Sequence, residues 1–220
     1  MGRWEPNARG RLQAAALELY GERGFEQTTV AEIAERAGLT ERTFFRHFAD
    51  KREVLFDAAD RLKELLIATV AEVPPDATPQ KAVASGLDAV AAMLEERREF
   101  AERRQLVIAA NSELQERELI KYASLATALA DVLRRRGVLE PEPRLIAEVA
   151  MAVLRAAFER WIEDPTSAPL QVVIRQALDQ LGAFLSTTTH DLGSASPRVQ
   201  QRSGSGRHPL APSPAGGDRC

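Results

Sequence analysis

Residues 28–55 of this 220-residue chain read TTVAEIAERAGLTERTFFRHFADKREVL. The hydroxyl of Thr29 stands where it can cap a helix of about two turns, and Gly38 stands where that helix has to end. Thr40 can cap a second short helix that runs through Phe48. The spacing therefore predicts two short helices joined by a glycine turn.

The second of these helices separates apolar and polar side chains onto opposite faces. Phe44 and Phe48 are four residues apart and share the face that packs on the core. The opposite face carries Glu41, Arg42, Phe45 and Arg46. Because a helix in the DNA major groove presents such a face to base edges, the pattern predicts a helix-turn-helix DNA-binding unit. Arginine pairs with guanine O6 and N7, so Arg42 and Arg46 are the first candidates for base readout.

Three neighbouring side chains complete the predicted base-reading set. Thr40 can cap the helix and still offer its hydroxyl to a base, and Glu41 can accept a hydrogen bond from cytosine N4. Phe45 can pack against a thymine methyl group or a sugar.

Four residues are predicted to contact the phosphate backbone. Thr43 and His47 lie along the flank of the second helix, where hydroxyl and imidazole donors meet phosphates. Lys51 falls in the first turn of the next helix, whose free N–H groups favour an anion, and Thr29 starts the preceding helix. Each residue alone is compatible with an ordinary solvated surface, and the hypothesis depends on their joint spacing.

This region resembles the TetR family of bacterial transcriptional regulators. The matching segments are AALELYGERGF at 15–25, TTVAEIAERAG at 28–38 and LTERTFFRHFADKREVL at 39–55. The resemblance implies an all-α protein, with an N-terminal three-helix helix-turn-helix domain joined by a long helix to a C-terminal helical-bundle regulatory and dimerisation domain.

The resemblance also implies roles for individual residues. Family residues that match Thr43, Phe45, His47 and Lys51 hold the phosphate backbone, and those that match Thr40, Glu41, Arg42 and Arg46 face the groove. The family commonly has tyrosine where this chain has Phe45, so a phenolic hydroxyl that could reach a phosphate is missing here.

Composition supports helices but gives no strong sign of a nucleic-acid partner. The chain is 45% hydrophobic and 28% charged, with a net charge of -3, whereas DNA-binding domains are usually basic. Residues 1–52 contain nine basic and eight acidic side chains, so this part is less acidic than the rest. Its single cysteine, Cys220, allows no internal disulfide, and the chain has no secretion signal or membrane-length apolar run. We therefore expect a cytoplasmic protein.

Apolar periodicity and punctuation by glycine and proline divide the chain into helices. The predicted helices are 7–23, 28–38, 40–48, 50–72, 78–96, 99–110, 113–136, 142–163 and 169–187. The predicted domains are a DNA-binding domain at 7–66, with its helix-turn-helix at about 31–50, and an effector-binding and dimerisation domain at 67–187. Residues 188–220, rich in Gly, Ser and Pro, are predicted to be a disordered tail.

By the same resemblance, the helices after residue 75 should enclose an effector pocket, and the last two should pair with those of a second copy. Candidate pocket residues, which could equally be core filler, are Met93, Phe100, Leu106, Tyr122, Met151, Phe158 and Trp161. Their apolar character suggests a small hydrophobic effector. Candidate dimer residues are Val153, Ala157, Ile174, Leu178 and Leu181. The expected partners are thus a palindromic DNA operator, a second copy of the chain and an effector, with no membrane.

Two other classes of function are an enzyme and a helical adaptor. An enzyme is disfavoured because two of the three histidines, His190 and His208, lie in the tail and no glycine-rich phosphate loop follows a strand. We accordingly expect no catalytic residue, metal or cofactor. A helical adaptor that keeps a helix-turn-helix only as a structural unit remains the alternative to a DNA-binding repressor.

Overall fold

The computed structural model describes residues 7–164, 166 and 168–194, with side chains up to residue 187. Every regular element in these residues is a helix, which confirms the predicted all-α fold. The helices are α1 (Ala8–Arg23), α2 (Val30–Arg36), α3 (Glu41–His47), α4 (Glu53–Phe56), α5 (Ala58–Glu72), α6 (Pro79–Glu95), α7 (Arg98–Ala109), α8 (Ser112–Arg135), α9 (Glu142–Glu163) and α10 (Leu170–Ser194). None of these described helices is long and apolar enough to cross a membrane.

The described chain divides into two compact units between Leu181 and Gly182. Within the first unit we call residues 7–57 the head and residues 58–181 the body. The predicted domain boundary at residue 66 falls inside this unit. The second unit contains the C-terminal part of α10, which extends to Ser194, so residues 188–194 are helical rather than disordered. The rest of the predicted tail, 195–220, lies outside the described residues.

The short helices of the head begin at the predicted caps. Thr29 accepts from the backbone N–H of Glu32 while the Glu32 carboxylate accepts from the backbone N–H of Thr29, which forms a complete capping box. Thr40 accepts from the N–H of Thr43 at the start of α3. Gly38 between them has φ +65°, a left-handed conformation that favours glycine. These local bonds fix the turn between α2 and α3.

The predicted helix 50–72 is interrupted once. Asp50 accepts from the backbone N–H groups of Arg52 and Glu53, as expected for a cap, but α4 ends at Phe56 and α5 starts at Ala58. Asp57 between them keeps helical angles (φ −54°, ψ −36°), and its buried carboxylate bonds to Arg9 and Gln13 of α1. The prediction of one continuous connecting helix was therefore wrong at Asp57, which is where this tertiary contact with α1 lies.

Two apolar clusters hold the first unit together. One fills the body and includes Leu66, Leu87, Leu129 and Trp161, all buried. The other fills the head, between α1, α2, α3 and α4, and includes three body residues: Val107, Ile108 and Leu114. The head core is therefore completed by the turn between α7 and α8.

Candidate nucleic-acid interface and ligand cavity

The outer face of α3 carries the predicted base-reading residues. Thr40, Glu41, Arg42, Phe45 and Arg46 are all exposed. Phe45 stands out because 54% of this large apolar side chain is exposed. On the inner side, Phe44 is fully buried and makes edge-to-face contact with the Phe45 ring at 5.5 Å between centroids. The buried ring thus supports the exposed one at a fixed position.

Arg42 and Arg46 differ from other arginines of the head in their electrostatic surroundings. Within the described residues, neither side chain has a salt-bridge or hydrogen-bond partner. Four other head arginines do have carboxylate partners. These pairs are Arg9 with Asp57, Arg23 with Glu32, Arg36 with Glu18 and Glu22, and Arg52 with Asp50 and Glu113. The uncompensated positive charge of these two residues is therefore presented on the face predicted to read bases.

Thr43 and His47 lie half-buried on the flank of α3. The Thr43 hydroxyl lies 3.1 Å from the Thr40 hydroxyl. The His47 Nε2 atom is buried and has no hydrogen-bond partner within the described chain. The pKa of His47 lies below its usual value of 6.5 because the ring is partly buried and because Arg46 and Arg9 are close. The imidazole is therefore neutral near pH 7 and would offer a phosphate an N–H rather than a full charge.

The structure places Lys51 against the protein rather than toward solvent. Its ammonium group donates to three backbone carbonyls, those of Phe25 at 2.9 Å, Glu26 at 3.2 Å and Thr28 at 3.0 Å. It also lies 4.4 Å from the centre of the Phe25 ring. All three ammonium protons are thus used within the head, and a phosphate contact would have to replace one of these bonds. Lys51 is better described as positioning the α1–α2 turn.

Thr29 is exposed, but its hydroxyl is engaged within α2. It lies 2.8 Å from a Glu32 carboxylate oxygen, in the capping box described above. A phosphate at this position would therefore meet a carboxylate as well as a hydroxyl.

A cavity of about 110 Å³ lies between α4 of the head and α5, α6, α7, α8 and α9 of the body. Four predicted pocket residues line it: Met93, Phe100, Tyr122 and Phe158. Burial raises the pKa of the Tyr122 phenol well above its usual range, so this group is uncharged. The cavity wall is mostly apolar, and its use as an effector pocket stays a prediction.

The other three predicted pocket residues lie elsewhere. Leu106 is 73% exposed on α7. Met151 borders an open groove between α8 and α9. Trp161 is fully buried and packs on Phe158, with 6.0 Å between ring centroids. Apolarity alone could not distinguish a cavity wall from filled core or from surface.

Sequence reasoning missed four charged residues that line the cavity: Arg97, Arg104, Glu118 and Lys121. A signal was present, since Arg104 is four residues from both Phe100 and Ile108, and Lys121 is four from Leu125. Charged residues at these spacings interrupt an apolar stripe and therefore face inward.

The predicted dimer residues are mostly core residues. Val153, Ala157 and Ile174 are buried inside the protomer, where they cannot meet a second copy. Leu178 and Leu181 are half-buried. The outer surface of α9 instead presents Leu145 (65% exposed), Ala152 and Ala156. The wide apolar stripe of α9 is therefore chiefly packing surface for its own chain.

Both halves of the chain match known families. Residues 12–58 match the model of bacterial regulatory proteins of the tetR family, and residues 77–186, half of the chain, match the model of the MftR C-terminal domain. The chain belongs to the TetR family. As a TetR-family member it is a DNA-binding transcriptional regulator and not an enzyme. The described residues also contain no cluster of His, Cys, Asp and Glu that could hold a metal ion.

Individual relatives of this TetR-family chain differ in how much they share with it. It is 26% identical to the putative mycofactocin biosynthesis transcriptional regulator MftR of Mycobacterium tuberculosis over 84% of this chain and 94% of that protein. It is 39% identical to the transcriptional regulator TcmR of Streptomyces glaucescens, over 37% of this chain and only 36% of TcmR. The fold is shared with the fatty acid degradation regulator FadR of Bacillus halodurans, at 17% identity, a TM-score of 0.58 and coverage of 80% and 94% of the two chains.

Proposed function

We propose that the chain is a ligand-responsive repressor that binds a palindromic operator as a homodimer in the cytoplasm. The observation that carries the proposal is the outer face of α3, on which Arg42 and Arg46 are exposed without a carboxylate partner in the described chain. A face of this composition fits the donor and acceptor pattern of the major groove. Arg42 and Arg46 act as base readers, Thr40, Glu41 and Phe45 supplement them, and Thr43 and His47 contact phosphates.

Dimerisation supplies the affinity that one head lacks. The head is close to electrically neutral in sequence, and its arginines other than Arg42 and Arg46 are largely paired with carboxylates. One copy therefore has few cations that can contact DNA phosphates. Two copies joined through α9 and α10 place two α3 helices on half-sites about 34 Å apart, one turn of DNA. The exposed small residues Ala152 and Ala156 permit close helix approach across this interface.

The cavity accounts for the response to a ligand. It is lined on one side by residues 55, 56, 58 and 59, at the junction between head and body, so a molecule that fills it acts directly on this junction. An effector can weaken DNA binding only if it binds the DNA-free arrangement more tightly than the DNA-bound one. The cavity volume of about 110 Å³ is small for a ligand site, so an effector of drug size has to open it. We expect the opened cavity to belong to the DNA-free arrangement, so that the effector binds this arrangement more tightly than the DNA-bound one.

Selection of bound DNA from a random pool by the purified full chain tests the proposal. The expected result is an enriched palindrome whose half-sites are centred about one helical turn apart. Absence of any enriched sequence at physiological salt would contradict the DNA-binding part and favour the helical adaptor. Enrichment of a single, non-repeated half-site would contradict the dimer while leaving sequence-specific binding in place.

A further inference from the structure

The charged groups in the cavity wall have an unusual balance. Three cations, Arg97, Arg104 and Lys121, line the cavity, against one carboxylate, that of Glu118. Arg104 bonds to Glu118 at 2.8 Å, and both side chains are less than one-fifth exposed. Lys121 is paired with Glu53, a carboxylate of α4, so among the described residues the cation of the wall without a carboxylate partner is Arg97. Its charge faces an otherwise apolar space, which is a favourable environment for an anionic group that brings its own apolar body.

Each of these cations also contacts the head. Arg97 donates to the Gln13 side chain of α1 at 3.3 Å, and Arg104 donates to the Leu55 carbonyl of α4 at 2.7 Å. The Lys121 ammonium lies 3.7 Å from the Glu53 carboxylate of α4. Each of the three cations of the cavity therefore links the body to the head.

The partners of the two arginines in the head, the Gln13 amide and the Leu55 carbonyl, are neutral acceptors, while Arg104 also keeps its bond to the Glu118 carboxylate. An incoming carboxylate can form a bidentate ion pair with a guanidinium, which a neutral acceptor cannot. Both guanidinium groups also lie over aromatic rings of the cavity wall, Arg97 over Phe100 at 4.2 Å and Arg104 over Phe56 at 5.0 Å. The guanidinium groups can therefore exchange their present acceptors for an incoming carboxylate while they stay stacked on these aromatic rings.

The bond made by Arg97 reaches further into the head. Gln13 is buried, with 4% exposed, and donates at 3.0 Å to Asp57, the residue between α4 and α5. Loss of the Arg97–Gln13 bond therefore frees the Gln13 side chain, which in turn bonds to Asp57 at the break between α4 and α5.

We propose that the effector is an amphipathic anion, an apolar body ending in one carboxylate, whose acidic group takes Arg97, Arg104 and Lys121 from their partners in the head. This inference rests on the proposed ligand-responsive function and adds the chemical class of ligand and the bonds that it exchanges. The apolar body occupies the space beside Met93, Leu125 and Phe158, and the carboxylate lies at the end of the cavity next to α4. Loss of the three bonds frees the head from the arrangement that binds DNA.

Calorimetric titration of the full chain, without DNA, tests the ligand class with three probes that share one alkyl chain: octanoate, octanol and octylamine. One octanoate is expected to bind per chain at least about tenfold more tightly than octanol, because its carboxylate forms an ion pair with the cavity cations that the octanol hydroxyl cannot form. Octylamine is expected to bind more weakly than both. Equal binding of octanoate and octanol, or no octanoate binding at millimolar concentration, would overturn the proposal.

Substitutions then show whether the named cations are responsible. Arg104→Gln and Lys121→Gln are each expected to reduce the preference for octanoate over octanol by about tenfold or more. Arg103→Gln is the matched control, because Arg103 is exposed on the same helix, pairs with Glu99 and does not line the cavity. The ratio of the two affinities is informative because general damage to the cavity would weaken both probes. If both cavity variants fold and keep the preference, the proposal fails.

A final measurement separates ligand binding from DNA release. Octanoate is expected to dissociate the full chain from its selected DNA site, and the Arg104→Gln variant is expected to resist this dissociation. Failure to find a DNA site would overturn the repressor function without altering the calorimetric result. Octanoate binding that leaves the DNA complex intact would overturn the exchange of bonds as the mode of regulation.

Discussion

At the scale of single residues, side chains of the same type have different uses in this head. Arg36 is held by Glu18 and Glu22, whereas Arg42 and Arg46 have no such partner in the described chain. An arginine that is paired with a carboxylate must lose this ion pair before it can bind a base. Arginines without such a partner can therefore bind bases at a smaller cost in free energy.

Arg42→Ala is expected to relax sequence preference on the selected operator. Loss of a bidentate base contact costs about 1–3 kcal/mol of discrimination at one position of each half-site. Competition binding against single-base variants of the operator measures it. Arg23→Ala is the control, because Arg23 is an exposed arginine of α1 that is paired with Glu32. Equal loss on operator and random DNA in the Arg42 variant would contradict base readout.

Lys51→Met is expected to act on stability rather than on phosphate contacts. Removing the ammonium leaves three backbone carbonyls without their donor, which costs about 1–3 kcal/mol of folding free energy. Urea unfolding measures this loss, and the salt dependence of operator binding should keep its slope. Arg46→Gln should instead leave the free energy of unfolding unchanged and weaken operator binding, because Arg46 is exposed and assigned to base readout. A lower slope for Lys51→Met would return Lys51 to the phosphate set.

His47 is expected to make stability depend on pH. Because its pKa is lowered in the folded protein, the unfolded chain binds the proton more readily below pH 6.5. Stability is therefore highest above 6.5, falls as the pH drops through that value, and stops falling once the pH is below the folded-state pKa. Urea unfolding at about pH 7.5 and pH 5.5 should show a smaller difference for His47→Gln than for the unaltered chain. An equal difference in both proteins would contradict this assignment.

The exposed face of α3 could be predicted from the sequence because helical periodicity assigns Phe44 inward and Arg42 outward without tertiary information. The contacts of Lys51 could not be predicted in this way. Its three acceptors are carbonyls of a loop 23 to 26 residues earlier, and their direction depends on how α1 and α2 pack.

At the scale of elements, local chemistry fixes where the short helices begin and long-range packing fixes where they are interrupted. The caps at Thr29 and Thr40 are bonds within one turn and could be predicted from residue types. The interruption at Asp57 could not, because its carboxylate bonds to Arg9 and Gln13, which are more than 40 residues away.

The closest approach between α5 and α6 depends on Gly86. A Cβ atom at this position would lie 2.7 Å from Val70 Cγ2 and 2.8 Å from Leu66 Cδ1, and both of these residues are fully buried. Gly86→Val is expected to lower the free energy of unfolding by about 1–3 kcal/mol through overpacking. Thermal or urea unfolding measures it.

The control is Gly21→Val in α1, where a Cβ would meet nothing within 4 Å. Both sites are helical glycines, so propensity changes alike and only packing differs. Equal stability changes at the two sites would show that the α5–α6 contact tolerates a larger residue.

At the scale of the whole molecule, the proposed homodimer supplies the second head that a near-neutral head needs to bind DNA. Ala156→Glu on the exposed surface of α9 is expected to weaken the homodimer and with it operator binding, because it places a charge in a close helix contact. Sedimentation at micromolar concentration measures the mass. Ala109→Glu, on the exposed side of α7, is the control and should leave the mass unchanged. A dimer that is equally stable in both variants would place the interface elsewhere.

The α7–α8 turn is inserted into the head core, and this limits how the DNA-binding head can be joined to a different sensor domain. Val107, Ile108 and Leu114 of the body are buried and belong to the apolar cluster of the head, together with residues of α1, α2, α3 and α4. A chimaera that grafts residues 7–57 onto an unrelated sensor would expose that surface and leave a hollow where three side chains belong. The transferable cassette is therefore discontinuous, and it consists of the head together with residues 98–114.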